Sequence, residues 1–421
     1  MKFTKSFDAA NVIPADGIKH AVELMENGML YRYGEVDEQA NSADAPYADK
    51  SEVSKLELEF GRYTGHKYVV AVNSCGSAMF ISLKAMGIQP GDKVFTNAFT
   101  FTAVPSSIVH ACAEPVYVEC TDQYIIDMGH FEQQIKQQPD VKYFIVSHMR
   151  GHIAQMDEIK SLCDEHNIRL IEDCAHGLGK RWDPQGENGF VGHHGETACY
   201  STQSHKILNA GEGGFIATND EQFAAYCILA AGSYEGLYKK HLARPDDAVF
   251  EDIKFSVPNF SLRMNNLTAA ILRPQIKLID QRIDSYKQKH QRLIELLSDI
   301  ECIHIPEAVA ESFHVGDSLQ FNLQGLSEAQ VVDFLSRAAA DGVKIQVFGS
   351  AENARDFRNW QYSFEEMPAM NNTADIIDFA CDLRLPMNFD MQDIELIAEV
   401  IQQVVADMVV DTPVLARGVA R

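Results

Sequence analysis

Apolar positions along the chain alternate between two rhythms. From Glu52 to Gly65, "EVSKLELEFGRYTG" places Val53, Leu56, Leu58 and Phe60 at helical spacing, with Gly65 as a stop. "KYVVAVN" at 67–73 is a short continuous apolar run and predicts a buried strand. The alternation continues with a helix at 76–87, a strand at 93–97, a helix at 103–113 and strands at 115–119 and 141–149. A helix at 156–167 and a strand at 168–173 follow, and two further β-like runs, 198–201 and 215–218, flank a polar stretch that holds Lys206. Short apolar strands separated by helices of this length predict an α/β fold with a mostly parallel central sheet, covered on both faces.

In such sheets ligands gather at the carboxyl ends of the strands. The segments that fall there are 73–77, 97–101, 148–151 and 172–176, all polar or small in character. Farther on, a long amphipathic helical pattern at 266–297 is interrupted by Pro274. A strand at 318–325, a helix opened by the capping box Ser327-x-x-Gln330, a strand at 343–349 and a last helix at 393–408 precede a loose tail. These boundaries predict an N-terminal segment (1–50), a large domain (51–284) and a smaller C-terminal α+β domain (285–421).

Composition narrows the classes of function. The chain has 421 residues, 46% hydrophobic and 23% charged, with a formal net charge of -24. That charge argues against a nucleic-acid partner and against anionic membranes. No apolar run reaches the length of a membrane span, and the N-terminus lacks the apolar core of a signal peptide. The 9 cysteines include no CxxC pair, so they read as reduced thiols and not as a metal site. The expectation is a cytoplasmic protein with no metal, no nucleic acid and no membrane partner.

Four features at the predicted strand ends carry chemistry. Gly76 and Ser77 stand at a strand-to-helix turn, where free N–H groups and a positive dipole suit a phosphate, although Gly and Ser also serve simply to turn the chain. Asp173 ends a buried strand, where a carboxylate needs a positive or protonated partner or else caps the next helix. His176 lies three residues on. Phe101 is either core or a cover for a flat ring. Lys206 precedes Gly211-Glu212-Gly213-Gly214, glycines that let backbone approach something closely. A phosphate cradle, a stacking ring, an acid and an amine are together what pyridoxal 5'-phosphate (PLP) requires.

The motifs "NSCGSA", "NAFTFTA", "IEDCAHGLG" and "STQSHKILNAGEGG" resemble those of the DegT/DnrJ/EryC1/StrS family of sugar aminotransferases, PLP enzymes of fold type I. The resemblance runs from about Gly28 to the C-terminal "LRLPMNFDMQDIELIAEVIQQV". It implies that Lys206 is the Schiff-base lysine and that Asp173 pairs with the pyridinium nitrogen. His176 would lie near the ring and its phenolic oxygen, Phe101 would stack on the ring, and Gly76, Ser77 and Ser201 would hold the phosphate. It implies transfer of an amino group from glutamate or glutamine to a keto-sugar or keto-cyclitol, by a homodimer. Nucleotide-linked hexoses, inosose-type cyclitols and octulosonate-type acid sugars all stay open as acceptors.

Two positions depart from the family pattern. Aligning Arg263-Met264 puts Ser261 where an asparagine from the partner subunit is expected, with Asn259 nearby. Arg150 stands where the family often has an aromatic or apolar residue, and is either an anion-binding residue or one half of a structural ion pair. Competing readings are a dehydratase using the pyridoxamine form, in which histidine replaces the lysine (His205 adjoins Lys206), and a non-catalytic regulatory member of the family.

Overall fold

The strand β1 (Tyr68–Val72) reads YVVAV and is buried at every position, the signature of a strand covered on both faces. It belongs to a seven-stranded sheet with β2 (Lys93–Asn97), β3 (Glu114–Val118), β4 (Tyr143–Ser147), β5 (Arg169–Asp173), β6 (Thr197–Ser201) and β7 (Gly214–Thr218). In this computed structural model, which describes residues 2–34, 51–180, 189–307 and 316–411, the strand order is β1-β7-β6-β5-β4-β2-β3. β7 runs antiparallel to both its neighbours, and the other pairings are parallel. The expected mostly parallel α/β sheet is present.

Successive residues of each strand enter opposite cores. On β4, Phe144 and Val146 join one apolar cluster while Ile145 joins the other. The first face is covered by α2 (Glu52–Thr64), α5 (Met128–Gln137) and α6 (Met156–His166), and the second by α3 (Cys75–Ala85), α4 (Ala103–His110), α7 (Glu221–Ala231) and α8 (Asp247–Ile253). α2 starts where the Ser51 side chain accepts the Ser54 N–H, and stops at Gly65 with φ 80°. Its buried Glu57 accepts two hydrogen bonds from Arg32, at 2.8 and 2.7 Å, which ties the N-terminal segment to the sheet.

α1 (Ala15–Asn27) is an element that apolar periodicity did not reveal. It buries only Gly17 and Ala21, small residues that let it lie against α9 (Asn266–Ile276), and it turns Ile18, Val22 and Met25 outward. The predicted 266–297 helix is two helices, α9 and α10 (Ile279–Leu297). Pro274 sits in the last turn of α9, where its missing N–H removes one bond of the ladder two residues before the helix stops.

A second, antiparallel sheet has the order β10-β11-β9-β8, built from β8 (Ile303–His304), β9 (Ser318–Leu323), β10 (Gln346–Val347) and β11 (Ala380–Arg384). Only two residues of the predicted 343–349 strand pair. α11 (Glu328–Ala340) begins with the expected capping box, α12 (Asn371–Ile377) precedes β11, and α13 (Met391–Asp411) closes the described chain. Phe3 and Phe7 reach into this second core and meet Phe389, with ring centroids 5.1–5.2 Å apart. The N-terminal residues thus run from the small sheet's core to the large sheet. The predicted tail and residues 35–50 lie outside the described residues. No described helix is long and apolar enough to cross a membrane.

Candidate active site

The carboxyl ends of β1, β2, β4, β5 and β6 open onto one cavity of about 500 Å³, where ligands collect in open α/β sheets. Its wall includes Gly76, Phe101, Asp173, His176, Ser201 and Lys206, drawn from four separate segments. Ser77 is not in that wall. Its hydroxyl donates to Asn73 Oδ1 at 2.7 Å, and its N–H donates at 3.0 Å to the hydroxyl of Ser74, the N-cap of α3. Ser74 lines the cavity in its place.

Register explains Asp173. On β5 it stands opposite Ser147 of β4, whose hydroxyl donates to Asp173 Oδ2 at 2.9 Å. The Thr100 hydroxyl donates in turn to Ser147 Oγ at 2.7 Å, and the Ala175 N–H reaches Asp173 Oδ1 at 3.1 Å. The carboxylate is buried yet fixed. The adjacent acid, Glu172, points to the other face, where it accepts from the N–H groups of Gly192, His194 and Gly195 at 2.7–3.0 Å and contacts His148 Nε2 at 3.1 Å. His148, Glu172 and Cys174 present ligand atoms within 4.8 Å of one another, but the Glu172 oxygens are already engaged by these donors.

Lys206 is held by its backbone. Asn11 Nδ2 donates to the Lys206 carbonyl at 2.8 Å, and the buried Arg282 donates to that of Ile207. Gly211 and Gly213 adopt φ 84° and 135°, and a Cβ on Gly214 would come within 2.6 Å of Ser74 backbone atoms. The close approach these glycines permit is therefore between the start of β7 and the N-terminus of α3.

The Lys206 amine lies 2.8 Å from His176 Nε2. Burial pulls that amine down to about 8, and the charge of Arg150 adds to the effect. Burial, followed by the charge of Lys206, also pulls the His176 imidazole well below its usual range. A neutral imidazole accepting at Nε2 carries its proton on Nδ1, the atom that faces Asp317 Oδ2 at 3.7 Å. Burial alone would raise the Asp317 carboxyl, yet His176, Arg150 and Lys206 together hold it well below the usual range.

Sequence reasoning missed Asp317, Arg355, Arg384 and Asp8, all supplied by the small sheet, its flanking loops or the N-terminal strap. Nothing local in the sequence marks them. Arg150 does line the cavity, with φ 50°, and it also forms a buried ion pair with Asp382. Of its two readings, the ion pair is present. Ser261 adopts φ 56°, and Asn259 Oδ1 accepts from its N–H at 2.8 Å, so the nearby asparagine is folded onto its own turn.

Comparison with known proteins identifies the family. The chain is 29% identical over 247 residues to the spore coat polysaccharide biosynthesis protein SpsC of Bacillus subtilis, covering 58% of this chain and 62% of that one. It is 30% identical over 249 residues to GDP-perosamine synthase of Caulobacter vibrioides, covering 57% and 62%. The matched stretches thus span a little under two thirds of these curated relatives. A putative sugar aminotransferase of Streptococcus pneumoniae, solved in its PLP form, superposes with a TM-score of 0.78 at 18% identity, covering 97% of this chain and 100% of that one. The fold is that of the PLP-dependent aminotransferases of fold type I. Residues 35–405 match the DegT/DnrJ/EryC1/StrS aminotransferase family over most of the chain's length, and the protein belongs to that family.

Proposed function

We propose that the protein is a PLP-dependent aminotransferase that moves an amino group from glutamate or glutamine to a keto-sugar or keto-cyclitol in the biosynthesis of an amino sugar. The observation that carries this reading is the Lys206 amine, held near a pKa of about 8 and 2.8 Å from a neutral His176 in the cavity that also holds Asp173. Names such as GDP-perosamine synthase and L-glutamine:3-amino-2,3-dideoxy-scyllo-inosose aminotransferase, the latter assigned as putative, among the relatives support the substrate class.

The residues present fit PLP. The open N-terminus of α3 at Gly76, with Ser201 beside it in the wall, offers donors for a phosphate. Asp173, fixed by Ser147, offers a carboxylate for a protonated ring nitrogen. Phe101 lines the same space with its ring. When bound, PLP supplies an electron sink for the donor's α-carbon. Once free, the Lys206 amine would take the proton from that carbon and, as its conjugate acid, give it back two atoms away. A lowered amine pKa suits such a base, since its neutral form is populated near neutral pH. His176 accepts from the amine and steers it, and Asp317 faces the proton on the other ring nitrogen. Lys206, and not His205, makes this contact, which favours transamination over the dehydratase reading.

Purified protein loaded with PLP is expected to absorb in the visible. That band is expected to bleach on adding glutamate or glutamine and to return with a keto-sugar. A band indifferent to both amino acids would overturn the assignment.

We also infer a homodimer. The stripe of Ile18, Val22 and Met25 on α1 is 55%, 42% and 54% exposed, an apolar face of the kind that subunit contacts cover. Light scattering of active enzyme is expected to give twice the chain mass, and an active monomer would rule the dimer out.

A further inference from the structure

The small-sheet side of the cavity is crowded with cations. Arg384 ends β11 and shares a face of that strand with Asp382, two residues before it. Asp382 is already engaged by Arg150 and by Gln320 Nε2, the latter at 2.8 Å. Arg355 places its guanidinium 5.4 Å from the centroid of the Phe101 ring, and its Nε is buried without a partner. Among the described residues, neither Arg355 nor Arg384 has an acid within ion-pair distance, yet both line the cavity. Neither Asp8 nor Asp317, whose charges reach Arg384 through space, nor the other acids of the wall lie within ion-pair distance of them. Asp8 is held by Lys344 at 2.8 Å, Asp173 accepts from Ser147, and Glu212 is exposed. Burial lowers both guanidiniums, Arg355 to about 10, and Arg150 adds to this in each case, against a smaller opposing pull from Asp382 on both and from Asp317 on Arg384.

Two partly buried cations that no acid pairs are costly until an anion meets them. This inference rests on the aminotransferase reading, in which donor and acceptor occupy one cavity in turn. A subsite visited by both substrates selects what the two share, and the donor brings a carboxylate. The planar fork of a guanidinium matches that group with two parallel hydrogen bonds. A neutral acceptor would leave both arginines unanswered in its half of the cycle.

We propose that Arg384 and Arg355 form a carboxylate-binding subsite used by the amino acceptor, which is therefore an acidic keto-sugar such as a uronate or ulosonate. Arg150 is not the ligand-binding arginine of the set. Tied to Asp382, it occupies the acid that would otherwise neutralise Arg384.

Calorimetric titration of the PLP-loaded full-length protein tests this with a matched pair of amines, glucosamine and its C6 carboxylate counterpart, together with UDP-glucosamine. The acid is expected to bind at least about tenfold tighter than glucosamine, as one charge-assisted pair allows. Arg384→Gln and Arg355→Gln should each reduce that preference severalfold or more without moving the visible band or the melting temperature, and Arg384→Lys should keep part of it. Equal binding of the acid and glucosamine by the unmodified protein would overturn the proposal, as would a preference that survives both substitutions. Arginine-dependent binding of UDP-glucosamine tighter than that of the acid would assign the subsite to phosphate and equally overturn it. Should Arg384→Gln fail to fold, Arg355→Gln and the unmodified protein decide. A glutamate response that stays intact while the acid preference is absent defeats this proposal alone, whereas loss of the visible band defeats the aminotransferase reading.

Discussion

Replacing Lys206 by alanine is expected to remove the visible band of the PLP-loaded protein and to lower turnover by at least about a thousandfold, since both covalent capture of the cofactor and proton transfer are lost. The expectation follows from what the lysine touches. Its amine meets His176 at 2.8 Å, while Asn11 and Arg282 fix the backbone on either side of it. Truncation removes the amine without removing these clamps, so the melting temperature should change little. The amine also predicts a pH dependence. Its folded pKa of about 8 lies below its ordinary 10.5, chiefly through burial. The neutral amine is the form that attacks an aldehyde, so the rate of PLP capture by apoprotein should climb with pH and level off above about 8. The same depression means that the unfolded chain binds more protons between those two values, so this group's contribution to stability rises with pH across that window. Stopped-flow absorbance at several pH values measures the first effect. Full activity in Lys206→Ala, or a capture rate still climbing steeply beyond pH 10, would refute the assignment.

The large sheet was legible in the sequence because its strands are buried on both faces. "YVVAV" and "YFIV" are unbroken apolar runs, and the polar residues that follow each run mark the cavity wall. Lys206, Asp173 and His176 lie within a few residues of such ends. α1 escaped notice because it packs through Gly17 and Ala21, which carry almost no hydrophobic signal, and exposes its large residues. Ser77, which the resemblance assigns to the phosphate, has its hydroxyl turned to Asn73 by the capping geometry of α3, and Ser74 is the serine at the wall. Arg384, Arg355 and Asp317 reach the cavity only because the small sheet docks there. No local period encodes that docking, and only the three-dimensional arrangement reveals which of the chain's arginines lack an acid.

Asp173→Asn is expected to slow amino transfer by roughly a hundredfold or more, the cost of removing a preorganised charge from a dry site, while PLP stays bound. The substitution is nearly isosteric. With its amide oxygen in the Oδ1 position it still accepts from the Ala175 N–H, and its N–H₂ can donate to Ser147 Oγ, a hydroxyl able to serve as donor or acceptor, so the strand end keeps its shape. What is lost is the negative charge that, on the proposed reading, would hold a ring nitrogen protonated. The neighbouring acid supplies the control. Glu172 stands on the opposite face of the same strand and accepts from three backbone N–H groups of the 192–195 loop, with His148 beside it. Glu172→Gln places an amide N–H₂ against those donors and should cost about 1–3 kcal/mol of stability, while the folded fraction keeps its rate. The pair of substitutions therefore separates charge at the site from support beneath it. Measured side by side, Asp173→Asn should move the rate and not the melting temperature, and Glu172→Gln the melting temperature and not the rate per folded molecule. If Asp173→Asn unfolds the protein while leaving the rate of what remains folded intact, its carboxylate is a brace like its neighbour's, and the protonated ring nitrogen must find its partner elsewhere.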